Sequence, residues 1–389
     1  MQENKPLWPS EQYRNTVCVN GAEEYSFELL REILREQLRL LGAEECIRPG
    51  VKVVIKPNLV VRAEPDSGAV THPLVTAAAA ACLQELGASV LIAESSGGVY
   101  TQAALRSIYT GTGYTEMARQ YEVELNYDCS SGELKSSEGL RCKGFTVITP
   151  VLEADVVVDI CKLKSHCMTG LSGAVKNLFG CVPGLMKPEL HCRFPEKPHF
   201  GEMLTDLCCA VKPELCIVDG ITAMEGNGPT GGHPRHMGVI LSGRNPFTVD
   251  VACAELISMK PEEIYMLRSA MERGLSPRSA VELEVLGESL ETYIQKDFVQ
   301  PESKTSNFIE KLPRFLRPLA TRLASPAPKI RKEECVGCGK CAESCPQHTI
   351  HIKDGKASID YKGCIRCYCC HEMCPKHVID IRRLPLFKL

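Results

Sequence analysis

The sequence predicts an α/β protein: a layered domain around a mainly parallel sheet, followed by a small α+β domain built as a duplicated half. Three observations carry this expectation. The first 250 residues alternate short apolar runs with helix-like stretches, the pattern of a sheet covered by helices. Several of the runs are apolar without alternation, as in strands buried on both faces. Between Cys335 and Pro375, one run of four cysteines and a proline occurs twice, 29 residues apart.

Strands are expected at residues 16–19, 51–55, 89–93, 156–160, 215–218 and 237–241, with helices over 26–41 and 73–86. The second helix has Pro73 in its first turn, where an N–H would be unpaired anyway, and Gly87 just past its end. Residues 261–290 read as further helix, after which the periodicity fades. An amphipathic pattern over 304–323 carries Lys304, Lys311, Arg314, Arg317 and Arg322, and is interrupted by Pro313 and Pro318. It suits a segment packed between domains, or a basic membrane-surface or partner-docking helix. Ser325-Pro326-Ala327-Pro328 marks a semi-rigid linker. The expected division is a large domain at 1–300, linker and amphipathic segment at 301–329, and a cysteine-rich domain at 330–389.

Composition sets outer bounds on function. Of 389 residues, 44% are hydrophobic and 24% charged, the balance of a soluble globular protein. A net charge of -3 and a pI near 6.4 give no general attraction to nucleic acid or to an anionic membrane. No apolar run reaches the roughly 18 residues of a membrane span, and residues 1–14 lack the apolar core of a signal peptide. Eight of the 22 cysteines fall in the two runs and the other 14 are scattered. So many unpatterned thiols suit a reducing, cytoplasmic and oxygen-poor setting.

The cysteine runs are Cys335, Cys338, Cys341 and Cys345 before Pro346, and Cys364, Cys367, Cys370 and Cys374 before Pro375. Two-residue and three-residue gaps let three thiolates reach one face of a cubane, whereas zinc sites use two spaced pairs. Repeat symmetry continues beyond the ligands, matching His348 with His377, Ile350 with Ile379 and Ile352 with Ile381. Cys369, opposite Lys340 in the first repeat, is a spare thiol near the cluster, or else an alternative ligand or a group that tunes the cluster. The progression resembles that of bacterial ferredoxins. That resemblance implies a ferredoxin-like domain with two 4Fe-4S clusters. One would be held by Cys335, Cys338, Cys341 and Cys374, the other by Cys364, Cys367, Cys370 and Cys345.

In open α/β sheets, ligands bind beyond the carboxyl ends of the strands, and there the large domain is unusually polar. Lys56-Pro57-Asn58 follows one expected strand, Glu94-Ser95-Ser96-Gly97-Gly98 a second, and Asp219-Gly220 with Glu225 a third; Thr71-His72-Pro73 opens a helix. Taken singly, each is also explained by turn and cap chemistry. The densest stretch runs from Lys162 through Lys164, His166, Lys176, Asn177, Gly180, Gly184 and Lys187 to His191. Lysines interleaved with glycines suit a loop that holds an anionic ligand, because lysine brings charge and glycine lets the backbone approach. Lys162, Lys164, His166 and Lys176 are the candidate catalytic residues, with Lys56, Asn58, Glu94, Ser95, Asn177, Asp219 and Glu225 as candidate cofactor or ligand contacts. Gly226, Gly228 and Gly231 fit a dinucleotide fingerprint formally, but Pro229 interrupts it and a strand is expected next, so a turn or ligand-lining loop is the better reading. Cys161, Cys167, Cys181, Cys192, His166 and His191 match no closed zinc pattern.

These blocks together resemble the domain of unknown function 362 family, often joined to a ferredoxin module. The resembling segments are Ile55 to Asn58, Glu94 to Ser96, Lys162 to His166, Ser172 to Asn177, and Asp219-Gly220 through Gly228-Pro229. The family implies a catalytic-looking α/β domain plus clusters, with no settled reaction. The short Lys176 to Gly184 stretch is also similar to the amino-terminal half of lactate-racemase-like enzymes, and no cofactor is carried over from so short a match. The expected function is electron transfer from a redox partner protein through the clusters to the reduction of an anionic small molecule at the lysine-rich cleft. The alternatives are a non-enzymatic carrier with a partner-docking domain, and a cluster- or metal-delivery factor. An extra metal or a flavin in the large domain stays open, and the absence of a G-x-S-x-G elbow argues against a serine hydrolase.

Overall fold

Apolar runs with no alternation become strands covered on both faces. In the computed structural model, which describes residues 8–302 and 326–382, one nine-stranded sheet organises the large domain. Its strands are β1 (Thr16–Gly21), β2 (Lys52–Pro57), β3 (Ser89–Ile92), β4 (Glu124–Leu125), β7 (Val156–His166), β8 (Gly170–Leu171), β9 (Leu215–Glu225), β10 (His233–Gly243) and β11 (Glu284–Gly287). A separate hairpin joins β5 (Ser131–Lys135) to β6 (Gly144–Ile148). The order is β11-β1-β10-β9-β7-β2-β3-β4, with β8 folded back on β7. Along that order the strands are parallel except β10, which returns from β9 as an antiparallel hairpin. A mainly parallel α/β sheet is what the sequence led one to expect.

Among the described residues, ten α-helices flank the sheets: α1 (Phe27–Leu40), α2 (Pro73–Glu85), α3 (Gln102–Gly111), α4 (Tyr114–Gln120), α5 (Thr149–Glu153), α6 (Gly173–Asn177), α7 (Met186–Arg193), α8 (Lys197–Val211), α9 (Pro246–Leu256) and α10 (Tyr265–Glu272). Successive strand residues enter opposite cores. Val53, Ile55, Val158 and Ile160 pack with Leu30 and Leu34 of α1 and Ala77–80 of α2. Val54, Val157 and Cys161 pack with Leu204 of α8 and Phe247 of α9. Burying one such aliphatic side chain contributes about 1.5–3 kcal/mol, so both helical layers are held firmly. At the start of α2, His72 accepts the Leu74 N–H through Nδ1 and Pro73 occupies the first turn.

All six expected strands form. β7, β9 and β10 are each 11 residues long, because the polar tails of β7 and β9 go on pairing past a register shift between Lys162 and Lys164. The helix expected across 261–290 is a correction. One α-helix, α10, forms there, with short 3-10 turns at Pro261–Glu263 and Ala280–Glu282; Gly274 follows α10 at φ +67°, and β11 then pairs with the edge of β1. A left-handed glycine ends the helical turn, and the open edge of β1 supplies the ladder.

The second domain follows its own repeat. Helix α11 (Lys340–Glu343) recurs as α12 (Cys369–Glu372), and β13 (Ile350–Lys353) recurs as β15 (Ile379–Arg382). His348 and His377 share a positive φ of 51° and 50°. Strand β13 pairs with β14 (Lys356–Ile359), and β15 with β12 (Ala327–Ile330). Part of the expected linker is therefore strand: Pro328 sits on an edge, where its missing N–H breaks no ladder. The amphipathic pattern at 304–323 lies outside the described residues.

Candidate functional site

The carboxyl ends of β2 and β7, the chain leaving β3, and helix α6 converge on one cleft. Its floor is a continuous buried network. Lys56 Nζ donates to Glu94 Oε2 at 2.9 Å and to Pro57 O at 2.6 Å. Asn177 Oδ1 accepts from Asn58 Nδ2 at 2.8 Å, and Asn58 Oδ1 accepts from Lys164 Nζ at 2.7 Å. Asn177 Nδ2 in turn donates to Asp159 Oδ1 at 2.7 Å, and the Leu59 N–H donates to Glu94 Oε2 at 2.9 Å. Gly180 packs against this pair: a Cβ would lie 2.6 Å from Lys56 Nζ and closer still to Glu94 Oε1, so the pair would have to shift to admit one.

Four more groups line the walls. Lys187 Nζ donates to Ser95 O (2.6 Å), Ser95 Oγ (3.1 Å) and Ser96 O (3.1 Å). Lys176 has no carboxylate within ion-pair distance among the described residues; its Nζ lies 4.6 Å from the centroid of the Phe179 ring. His166 accepts the Met168 N–H through Nδ1 at 3.0 Å, which puts the proton of a neutral ring on Nε2. His191 stacks on Phe200 with centroids 4.3 Å apart.

Burial drives these cations toward neutrality. It brings Lys164 down to about 7, assisted by Lys176, and Lys187 to about 7 against the pull of Glu94. Lys176 is lowered by burial although Glu372 opposes it, and His191 falls to about 3. His166 lies well below the ordinary histidine range because it is buried beside Lys176 and Lys164. At neutral pH it is therefore a neutral ring that donates from Nε2, not an imidazolium.

The last wall belongs to the second domain. Ser344, Cys369, Glu372 and Met373 line the cleft together with the large-domain residues. Glu372 Oε1 lies 3.5 Å from His166 Nε2, and Thr230 Oγ1 donates to Glu372 O at 3.1 Å. His371 sits between Asn227 O at 2.9 Å and Ile379 O at 2.5 Å, and Gln347 Nε2 donates to Cys192 Sγ at 2.9 Å. Tyr368 and Ile381 join the core of the large domain. The glycine-rich run at 226–231 bends the β9–β10 hairpin into this contact, with strand on both sides and no helix. A Cβ on Gly231 would lie 2.5 Å from the His371 ring.

Among the expected site residues, Lys56, Asn58, Glu94, Ser95, Lys164, His166, Lys176 and Asn177 all line the cleft. Lys162 and Asp219 do not: they form a buried pair at 2.8 Å, completed by Tyr25 and the His72 N–H. Glu225 lies apart from the cleft as well, accepting the Val299 N–H at 3.0 Å. Cys369, Glu372 and Met373 were missing from the expected cleft. No local signal marks them, since Glu372 has its repeat counterpart in Glu343 and only the docking of the domains brings it to the cleft.

Two further cavities lie in the small domain. Cys335, Cys338, Cys341 and Cys374 line one, and Cys345, Cys364, Cys367 and Cys370 line the other, so the fourth cysteine of each run crosses over. Cys335, Cys345 and Cys374 each accept a backbone N–H at 3.4 Å, from Ala357, Thr349 and Val378. Burial and the facing thiols of Cys374, Cys338 and Cys335 push Cys341 up to about 11. Four thiols around a cluster-sized space, with N–H groups aimed at sulfur, fit 4Fe-4S ligation. Among the described residues, no group of three or more His, Cys, Asp or Glu is arranged around a single metal ion, and no helix is long and apolar enough to cross a membrane.

Comparison with known proteins agrees with this picture. A thylakoid-associated protein of Synechocystis sp. (strain ATCC 27184 / PCC 6803 / Kazusa) is 32% identical over 270 residues, covering 68% of this chain and 81% of that protein. The lactate racemase apoprotein from Thermoanaerobacterium thermosaccharolyticum has a TM-score of 0.41 and 12% identity, over 64% of this chain and 58% of that one, less than two thirds of its length. Residues 53–255 match the family described as domain of unknown function (DUF362), and residues 327–375 match the 4Fe-4S dicluster domain. The chain belongs to the DUF362 family and, through its carboxyl-terminal domain, is an iron–sulfur protein.

Proposed function

We propose that this chain is an electron-transfer protein whose two 4Fe-4S clusters relay electrons from an external redox partner to the reduction of an anionic small molecule in the cleft. One observation carries the reading: α12, which includes the cluster ligand Cys370, is also a wall of the cleft, with Cys369 and Glu372 facing the lysines. Bound clusters supply one-electron transfers, so a two-electron reduction draws one electron from each and needs two protons. Lys164 supports proton delivery, because an ammonium with a pKa of about 7 is well matched to neutral pH. Lys176 places a positive charge against the anion, and His166 orients it through its Nε2–H.

The test offers several short 2-oxo acids, each of which takes two electrons and two protons to become a 2-hydroxy acid, to dithionite-reduced protein freed of excess reductant. At least one should reoxidise the wild type faster than Lys176→Gln, while the two proteins keep the same cluster spectrum. If no acceptor separates them, the catalytic reading fails and a carrier with a docking domain takes its place.

A further inference from the structure

After its internal pairs are formed, the cleft is left with unmatched groups of both kinds. Glu94 Oε1, His166 Nε2, His191 Nδ1 and Glu372 Oε1 are buried and have no hydrogen-bond partner, His166 Nε2 and Glu372 Oε1 facing each other at 3.5 Å, too far apart for a good hydrogen bond. All four residues line the same cavity. Glu94 and His166 are 2% and 1% exposed, so water outside the cleft does not serve them. Buried polar atoms are normally satisfied, and four orphans facing one space indicate something that enters it.

The orphans also say what enters. The His166 Nε2–H is a donor, and so is Lys176 Nζ, which is not one of the four but has no carboxylate within ion-pair distance among the described residues; together they call for an oxyanion. Glu94 Oε1 and Glu372 Oε1 are carboxylate oxygens, and they call for a donor. A simple anion would meet the first pair and leave the second stranded. Between them, Val60, Phe179, Pro229 and Met373 offer apolar wall for a short spacer. The cavity holds about 80 Å³, room for several waters at ~10–15 Å³ each, which suits a small ligand.

We infer that the cleft binds a small bifunctional acid, with a carboxylate or like oxyanion at one end and a hydroxyl or ammonium donor at the other. This rests on the cleft being the reaction site proposed above. It narrows the ligand from any anion to one that also donates.

The test is isothermal titration of oxidised holoprotein under argon with four probes: glycolate, glycine, acetate and ethylene glycol. Glycolate or glycine should bind at least tenfold more tightly than acetate or ethylene glycol, and Lys176→Gln should weaken that binding at least tenfold with the cluster spectrum intact. Should that variant lose its clusters, Lys176→Met, which keeps the stem against Phe179, replaces it. Acetate binding as tightly as glycolate overturns the inference, and so does the absence of binding by every probe, which would leave the cleft to water. Failure of the redox reading looks different: glycolate or glycine binds as expected, but no acceptor distinguishes wild type from Lys176→Gln on reoxidation.

Discussion

Replacing Lys164 by methionine tests whether the fold holds a lysine in the cleft close to neutrality. The side chain is buried, donates to Asn58 Oδ1 at 2.7 Å and Ala69 O at 2.6 Å, and has its pKa brought from 10.5 to about 7 by burial and then by Lys176. In the unfolded chain the same group keeps its proton until about pH 10.4. Between those two values the unfolded state binds the extra proton, so stability rises with pH; below about 7 the whole penalty is present. At about 1.36 kcal/mol per pH unit, that penalty has a ceiling of about 5 kcal/mol, of which roughly 3 is relieved between pH 7 and 9. Methionine has no charge to desolvate, but it strands two acceptors at about 1–3 kcal/mol each. The variant should therefore compare best with wild type near pH 7, and lose about 3 kcal/mol of relative stability by pH 9. Urea unfolding under argon can be followed by Trp8, the single tryptophan, whose indole N–H donates to Pro213 O at 2.9 Å. Parallel pH profiles for the two proteins would refute the reasoning.

Gly180→Ala should destabilise by about 1–3 kcal/mol, because its Cβ crowds the buried Lys56–Glu94 pair; an unchanged unfolding midpoint would contradict the packing described. Cys345→Ser should remove iron from the cavity it shares with Cys364, Cys367 and Cys370, even though Cys345 belongs to the first run. Iron analysis after anaerobic reconstitution checks this, with Cys369→Ser expected to keep the wild-type iron content. Met373→Ala, which trims the side chain nearest Gly97, should leave the iron content unchanged while altering ligand affinity in the cleft, as titration of the holoprotein would show.

Much of this architecture is legible in the sequence because its signals are local. Apolar runs gave the positions of six strands, and the cysteine spacing matches the two cavities of the small domain. Lys56, Glu94 and Lys164 were readable as cleft residues because each sits at or just past the carboxyl end of a strand, and Asn177 because it closes α6 in the lysine- and glycine-rich stretch after β7. Lys162 shares its strand face with Lys164 by the period of two, yet lies one step deeper, where Asp219 neutralises it. Spacing along a strand gives the face and not the depth. The strand β11 hid because its pairing with β1 spans more than 260 residues, and no local pattern encodes so distant a partner. Glu372 hid for a similar reason, since its role is created by two domains meeting.

The central claim is that the cleft and the cluster domain form one redox unit. It is tested most directly by potentiometric titration of the anaerobic holoprotein, read by electron paramagnetic resonance, with and without saturating glycolate and then phosphate. Reduction adds negative charge, so an anion held beside α12 should lower the potential of one cluster, by about 59 mV for each tenfold preference of the anion for the oxidised form. The other cluster should stay where it was. If neither potential moves, or both move equally, the cleft is not coupled to the cluster at its wall and the account is wrong.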